Sequence, residues 1–463
     1  LTAALLRWSP LLAILLCLPA CTNGASGLAP PGTQGSDARL FFPTALATDD
    51  GGNNLYIANS NFDLAFNAGT LVQIPTSAFD SDSVDVPFPG PPGKTIPFSI
   101  GTLDSFAGNM TFSTLNGANR LYVTTRQRPT VSIAPVQPNG SLGCAQSDCR
   151  LNAVVLDTFQ DPFALAKAQL PLPSSPATTS PVLLVSALGQ LPTNANGVGE
   201  NTAVAVIPEP ANLPDTGVSS NPPFSSVAYT VNLGVPGSNS IAVGPASEIL
   251  VGGCFLLVQG GSQVPCVGNP DKPEFYRTNI LRVFDGNAGL AAQVFQRPLG
   301  PLLGTSTSGT AQTRDIAVSP AAPVLYVATA TPNALLVTAL PGPGTTTTPT
   351  SLGTIPLSNA PGRIHVLSRA PLSDLVAVTA TESNSLLIVD PSSGNVVSQI
   401  QPVGNGPFGL ASIRKAALSQ IVGGGEGNRI FVSLFNGCGV AAVDVPDAAP
   451  ERAALVSTVG ACP

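Results

Sequence analysis

A short unit recurs seven times along this chain, and that recurrence limits its possible folds more than any other feature. Each copy opens at a turn of Gly, Pro, Asp or Asn and runs through a few small apolar residues. After a second turn comes an aliphatic strand, often with Tyr-Val or an equivalent, and then a strand that often ends near Asp. The first copy is Pro43-Thr44-Ala45-Leu46-Ala47, Leu55-Tyr56-Ile57-Ala58 and Leu71-Val72-Gln73-Ile74. The last is Pro407-Phe408-Gly409-Leu410-Ala411, Arg429-Ile430-Phe431-Val432-Ser433 and Val440-Ala441-Ala442-Val443-Asp444. The copies between them open at Asn109, Asp161, Asn239, Arg314 and Arg363, and a fourth strand is clearest at 396–403 and 455–459.

Only 10% of the residues are charged, against roughly 25% in an average domain, so long helices would lack polar faces. The 46 glycines and 47 prolines are spread through nearly every window and break helices throughout. An all-β chain follows. Four antiparallel strands repeated seven times predict a seven-bladed β-propeller over residues 39–463. Innermost strands converge on an axis where bulky side chains do not fit, and Ala45, Ala47, Ala166, Ala242, Ala317 and Ala411 are expected there. Inserts at 190–200, 208–223 and 259–277 are expected as loops on one face. An outer-membrane β-barrel is excluded by 5% aromatics and by strands below about nine residues.

The stretch Gly404-Asn405-Gly406-Pro407-Phe408-Gly409-Leu410-Ala411, followed by a Tyr-Val-type strand and a strand ending in Asp, resembles the YVTN or lactonase-like seven-bladed propeller repeats. The resemblance covers residues 40–460 or so and implies the propeller fold. It also allows a lactonase-like hydrolase with a carboxylate-bound metal in the central channel, although such motifs specify fold better than activity.

The amino-terminal segment gives an address. Residues 11–18 form an apolar run too short to span a bilayer, the only preceding charge is Arg7, and Leu18-Pro19-Ala20-Cys21 follows. This order resembles the lipobox of bacterial lipoproteins, which implies a signal peptide over 1–20, a lipidated Cys21 and membrane anchoring. Thr22 stands where an Asp would hold an enterobacterial lipoprotein at the inner membrane, so the outer membrane of the cell envelope is the expected location. Residues 22–36 are rich in Gly, Ala, Pro, Ser and Thr without charge, up to the Ser36-Asp37 step, and read as a flexible tether within 21–38.

Besides Cys17 and Cys21, six cysteines remain: Cys144, Cys149, Cys254, Cys266, Cys438 and Cys462. An even count in an exported chain suggests three disulfides, and sequence order suggests consecutive pairing. No neighbouring His completes a zinc site at Cys144 and Cys149.

With a single histidine, His365, multi-His haem or copper sites are excluded, and no Gly-x-Ser-x-Gly elbow supplies a nucleophile. His365 therefore reads as a structural residue near the channel. Asp80, Asp82 and Asp85 could offer oxygen to calcium but lack the Gly and Glu of an EF-hand loop, and read as a solvated loop; no other cofactor is indicated. Asp49-Asp50-Gly51-Gly52-Asn53-Asn54 reads as a hairpin turn. Polar residues at the start of inner strands, Asn109, Asp161, Asn239, Arg314, Asp315 and Arg363, are expected at one channel mouth. Arg314 and Arg363 could jointly grip a carboxylate or phosphate; the alternative is an Arg–Asp pair lining a water-filled channel. A net charge of -7 opposes nucleic acid. These features together predict a lipid-anchored binding or assembly module for an envelope protein or glycan.

Overall fold

The computed structural model describes residues 27–33, 38–80, 85–90, 95–156, 161–172, 174–187, 202–210, 227–235, 239–245, 247–254, 279–285, 298–301, 312–330, 332–340, 350–460 and 462. Its strands form seven separate antiparallel meanders. Blade 1 consists of Pro43–Thr48, Asn54–Asn59, Gly69–Pro75 and Ser99–Leu103, and blade 2 of Ala107–Leu115, Ala118–Thr125, Thr130–Val136 and Ala153–Val155. Blade 3 comprises Pro162–Leu172, Ser175–Ala187, Thr202–Pro208 and Tyr229–Val235, and blade 4 comprises Ser240–Val243, Glu248–Cys254, Asn279–Asp285 and Pro298–Pro301. Blade 5 runs through Gln312–Val318, Val324–Ala330, Ala334–Ala339 and Thr350–Pro356. Ile364–Arg369, Leu372–Ala380, Ser385–Asp390 and Asn395–Ile400 form blade 6, and Pro407–Lys415, Gly427–Leu434, Gly439–Pro446 and Ala454–Val459 form blade 7. Helix among the described residues is limited to short 3-10 turns, and none is long and apolar enough to cross a membrane.

The apolar side chains explain why the meanders close into a ring. Each blade buries both faces against its neighbours, so the second strands are buried along their whole length around an apolar centre such as Leu55-Tyr56-Ile57-Ala58 or Ile430-Phe431-Val432: all six residues of Asn54–Asn59 and all eight of Gly427–Leu434 are buried. Seven hydrophobic clusters result, one for each junction between consecutive blades. The cluster holding Leu46, Leu55, Ile57, Phe431, Val440 and Ala442 joins blade 7 to blade 1 and completes the circle. Ala45, Ala47 and Ala411 border the channel as expected. Ala166, Ala242 and Ala317 also lie in inner strands, where they pack beside the inter-blade clusters. Gly409 meets a tighter demand, since a Cβ there would lie 2.3 Å from the Thr44 carbonyl of blade 1.

A strap from blade 1 reinforces the closure. Between its third and fourth strands, Asp85–Val86 adds a fifth, parallel strand to blade 7, with Asp85 opposite Thr458 and Val86 opposite Val459. Arg429 is buried there with its guanidinium on both oxygens of the fully buried Asp444, at 2.6 and 3.0 Å, and on the Phe79 carbonyl at 3.1 Å. Asp80 also bonds Arg429 and Lys415. Of the acidic trio read as a solvated loop, Asp80 is thus engaged by two cations, Asp85 sits in the added strand, and Asp82 lies outside the described residues. The Asp49 turn forms as expected, with the Asn53 amide donating to Asp49 Oδ1 at 2.7 Å.

Two of the three expected disulfides form, Cys144–Cys149 and Cys438–Cys462, with Cα atoms 5.0 and 4.9 Å apart. The pairing of Cys254 with Cys266 lies outside the described residues, as do Cys21 and most of the three inserts. Part of the segment read as a tether is docked on blade 1: Pro30 and Pro31 are buried, and the Asn67 amide donates to the Leu28 carbonyl at 2.9 Å.

Candidate functional site: the channel and its mouth

Pairing registers fix which ends share a face. The first residue of an inner strand lies opposite the last of the second strand, Pro43 opposite Asn59 and Pro407 opposite Leu434. Inner-strand starts and the turns after second strands therefore share one side of the disk, the mouth face.

Inside the ring is a chamber of about 350 Å³, to which every inner strand contributes: Ala45, Asn109, Ala164, Ile241, Ile316, His365 and Ala411 from blades 1 to 7. At the mouth face lies a second cavity of about 310 Å³, bordered by Phe163, Asn239, Arg314, Glu382 and Phe408. Arg363 borders both cavities and separates them. Its guanidinium carbon lies 4.6 Å from the ring centre of Phe163 and 5.3 Å from that of Phe408. Nη1 donates to the Asn239 carbonyl at 3.3 Å and to Asp315 Oδ1 at 3.4 Å. An arginine from blade 6 thus crosses the axis to Phe163 of blade 3 and Asn239 of blade 4, while Asp315 of blade 5 and Phe408 of blade 7 flank it, and these aromatic faces and the carboxylate replace its water.

Asp315 also accepts from the Ile364 amide at 3.0 Å. Burial raises its carboxyl above the usual range, while Arg363 and the backbone amides pull it back. Arg314 is exposed, with no ion pair among the described residues. The structure therefore sets the two arginines in different roles although both start inner strands: Arg363 is held by aromatic and carboxylate partners, whereas Arg314 faces solvent. Asn239 joins Arg363 through its carbonyl and reaches the Thr313 carbonyl through its side chain at 3.1 Å. Asp161 pairs on the same face with Arg126 of blade 2, 3.4 Å away, and is not among the residues that border the mouth cavity.

His365 lies deeper, in the chamber, its Nε2 2.8 Å from Ser412 Oγ. Burial pushes the imidazole down to about 4, so it is neutral near pH 7. A neutral imidazole on a hydroxyl has the geometry of a general base and its nucleophile. No described hydrogen bond places a carboxylate on the other ring nitrogen. Among the described residues no group of three or more His, Cys, Asp or Glu side chains is placed to hold a metal.

Phe163, Phe408, Glu382 and Ser412 belong to the site but were not singled out by sequence. A signal for the two phenylalanines exists: Pro162-Phe163-Ala164-Leu165-Ala166 and Pro407-Phe408-Gly409-Leu410-Ala411 are nearly the same pentapeptide. No comparable pattern marks Ser412, which meets His365 only through the neighbouring blade.

No protein-family model matches the chain, and no curated protein matches it. Solved structures similar to it include Sqt1 from Chaetomium thermophilum, at 13% identity, with 88% of this chain and 83% of that chain covered and a TM-score of 0.48. A periplasmic gluconolactonase, PpgL, from Pseudomonas aeruginosa is 13% identical over 78% of this chain and 84% of its own, with a TM-score of 0.42. A putative 6-phosphogluconolactonase from Bacteroides fragilis is 10% identical over 79% and 85%, with a TM-score of 0.38.

Proposed function

We propose that the protein is a binding module of the bacterial cell envelope, anchored through a lipidated Cys21, which receives an acidic group of an envelope protein in its channel mouth. The observation that carries this reading is the mouth cavity. An exposed arginine, Arg314, stands at a pocket whose floor is closed by Arg363 between two phenylalanine rings. A guanidinium without a carboxylate partner among the described residues offers a fork that matches a carboxylate, and the aromatic floor suits an apolar neighbour of that group.

The test uses the full chain in intact cells, with a photoreactive residue at position 382 and Arg314 either kept or changed by Arg314→Glu. A protein adduct that charge reversal abolishes supports the reading. Adducts to glycan alone move the ligand to carbohydrate, and identical adducts from both forms overturn it. Labelled palmitate incorporated by the wild type but not by Cys21→Ser tests the anchor.

A second reading, a lactonase-like hydrolase, is favoured by one observation, the Ser412 hydroxyl on a neutral His365. It would run through that pair. Lactone turnover lost in both Ser412→Ala and His365→Gln would support it, and turnover unchanged in both, or absent from the wild type, would dismiss it.

A further inference from the structure

The mouth face carries a continuous line of phenylalanines beyond the pocket. Phe408 lies 6.3 Å from Phe435 between ring centres, Phe435 lies 5.1 Å from Phe42 and 5.4 Å from Phe62, and Phe62 lies 5.9 Å from Phe106. The line begins at the channel and ends at the edge of blade 1, where Phe62 is 53% exposed. Rigid backbone presents this ring. Asn61 donates to the Phe66 carbonyl at 2.8 Å and to Ser105 Oγ at 2.9 Å, and accepts from the Phe66 amide at 3.1 Å. A large apolar side chain held outward by its own loop loses little entropy when it is covered.

The chain joins the body at the same loop. Leu28, 64% exposed, is fixed through its carbonyl to Asn67, six residues after Asn61. Only seven steps of chain separate Leu28 from Cys21, which fully extended reach about 25 Å. A lipid on Cys21 therefore holds the blade 1 edge of the mouth face near the bilayer. The opposite face has exposed Leu372 and Ile421, at the start of a second strand and in the turn before one, but the amino-terminal chain does not leave from there.

We propose that the protein rests on a lipid surface through the blade 1 edge of its mouth face, with Phe62 and Leu28 entering the headgroup region. This rests on the anchoring at Cys21 given above. The disk then tilts, and the Arg314 side of the pocket, across the axis on blade 5, opens toward partners lying close to the membrane. Apolar and aromatic side chains suit such an interface, where they are covered without a shaped protein surface.

The experiment places a tryptophan on each face of the lipidated protein, by Phe62→Trp or by Ile421→Trp; the sequence's single tryptophan, Trp8, leaves with the signal peptide. Emission is read on vesicles of phosphatidylethanolamine and phosphatidylglycerol with brominated acyl chains. Quenching by about twofold or more at position 62 and none at 421 is expected. Vesicle-bound protein quenched at neither position, or more strongly at 421, overturns the docking while leaving the anchor intact. Failure to take up labelled palmitate and to float with vesicles overturns both. A lipid-free dimer in sedimentation that shields position 62 overturns the docking in favour of contact between copies.

Discussion

Two arginines, Arg429 and Arg363, meet opposite treatment in the same ring. Arg429 at the closure of blades 7 and 1 is held on all three guanidinium nitrogens, by two oxygens of buried Asp444, the Phe79 carbonyl and Asp80. Arg363 at the mouth has one carbonyl, one carboxylate oxygen at 3.4 Å and two aromatic faces. The first contact set is short, bidentate and enclosed, so it fixes the ring. The second is longer and borders two cavities, so a ligand can reach it without breaking a blade.

The comparison breaks most readily at Arg429. Arg429→Ala leaves Asp444 buried without its cation and is expected to cost about 3 to 5 kcal/mol in denaturant unfolding. Arg429→Met combined with Asp444→Leu should recover most of that loss, because the desolvation of both charges is removed together. A single variant as stable as the wild type would show that the strap, not the ion pair, closes the ring.

A smaller effect is expected inside the chamber. Folding holds His365 at about 4, below its ordinary 6.5, so the unfolded chain binds more protons between these values. Stability is therefore lost as pH falls from about 6.5 to about 4, by up to about 3 kcal/mol. Thermal unfolding across that range should show this slope in the wild type and a shallower one in His365→Gln.

Removing the crossing side chain by Arg363→Ala should cost about 1 to 2 kcal/mol, through lost ring contacts and a less compensated Asp315, and should merge the mouth cavity with the chamber. Chemical unfolding measures the first and a crystal structure the second. At Arg314, exposed and unpaired among the described residues, Arg314→Ala should change stability by less than about 0.5 kcal/mol. A larger loss there would erase the distinction between the arginines that build the ring and those that face its ligand.

Much of the fold was legible because each blade is local in sequence. The strands starting near Pro43, Asn109, Asp161, Asn239, Arg314, Arg363 and Pro407 all appear as inner strands, within a residue or two. Cys438 and Cys462 were readable for the same reason, since both fall at one end of a single meander. The site was legible in its charged residues but not in their relations. Asn239, Asp315 and Arg363 meet because blades 4 to 6 converge on an axis, while Asp161, similarly placed in sequence, finds Arg126 nearer.

The sequence by itself determined the all-β class, the repeat of the blades, their turns and two cysteine bridges, because each depends on contacts within some tens of residues. Only the tertiary structure decided that Arg363 seals the channel, that Ser412 meets His365 and that the strap at Asp85–Val86 closes the ring. Those contacts join residues 45 to about 370 positions apart. Their partners are set by curvature around an axis, which no periodicity along one strand encodes.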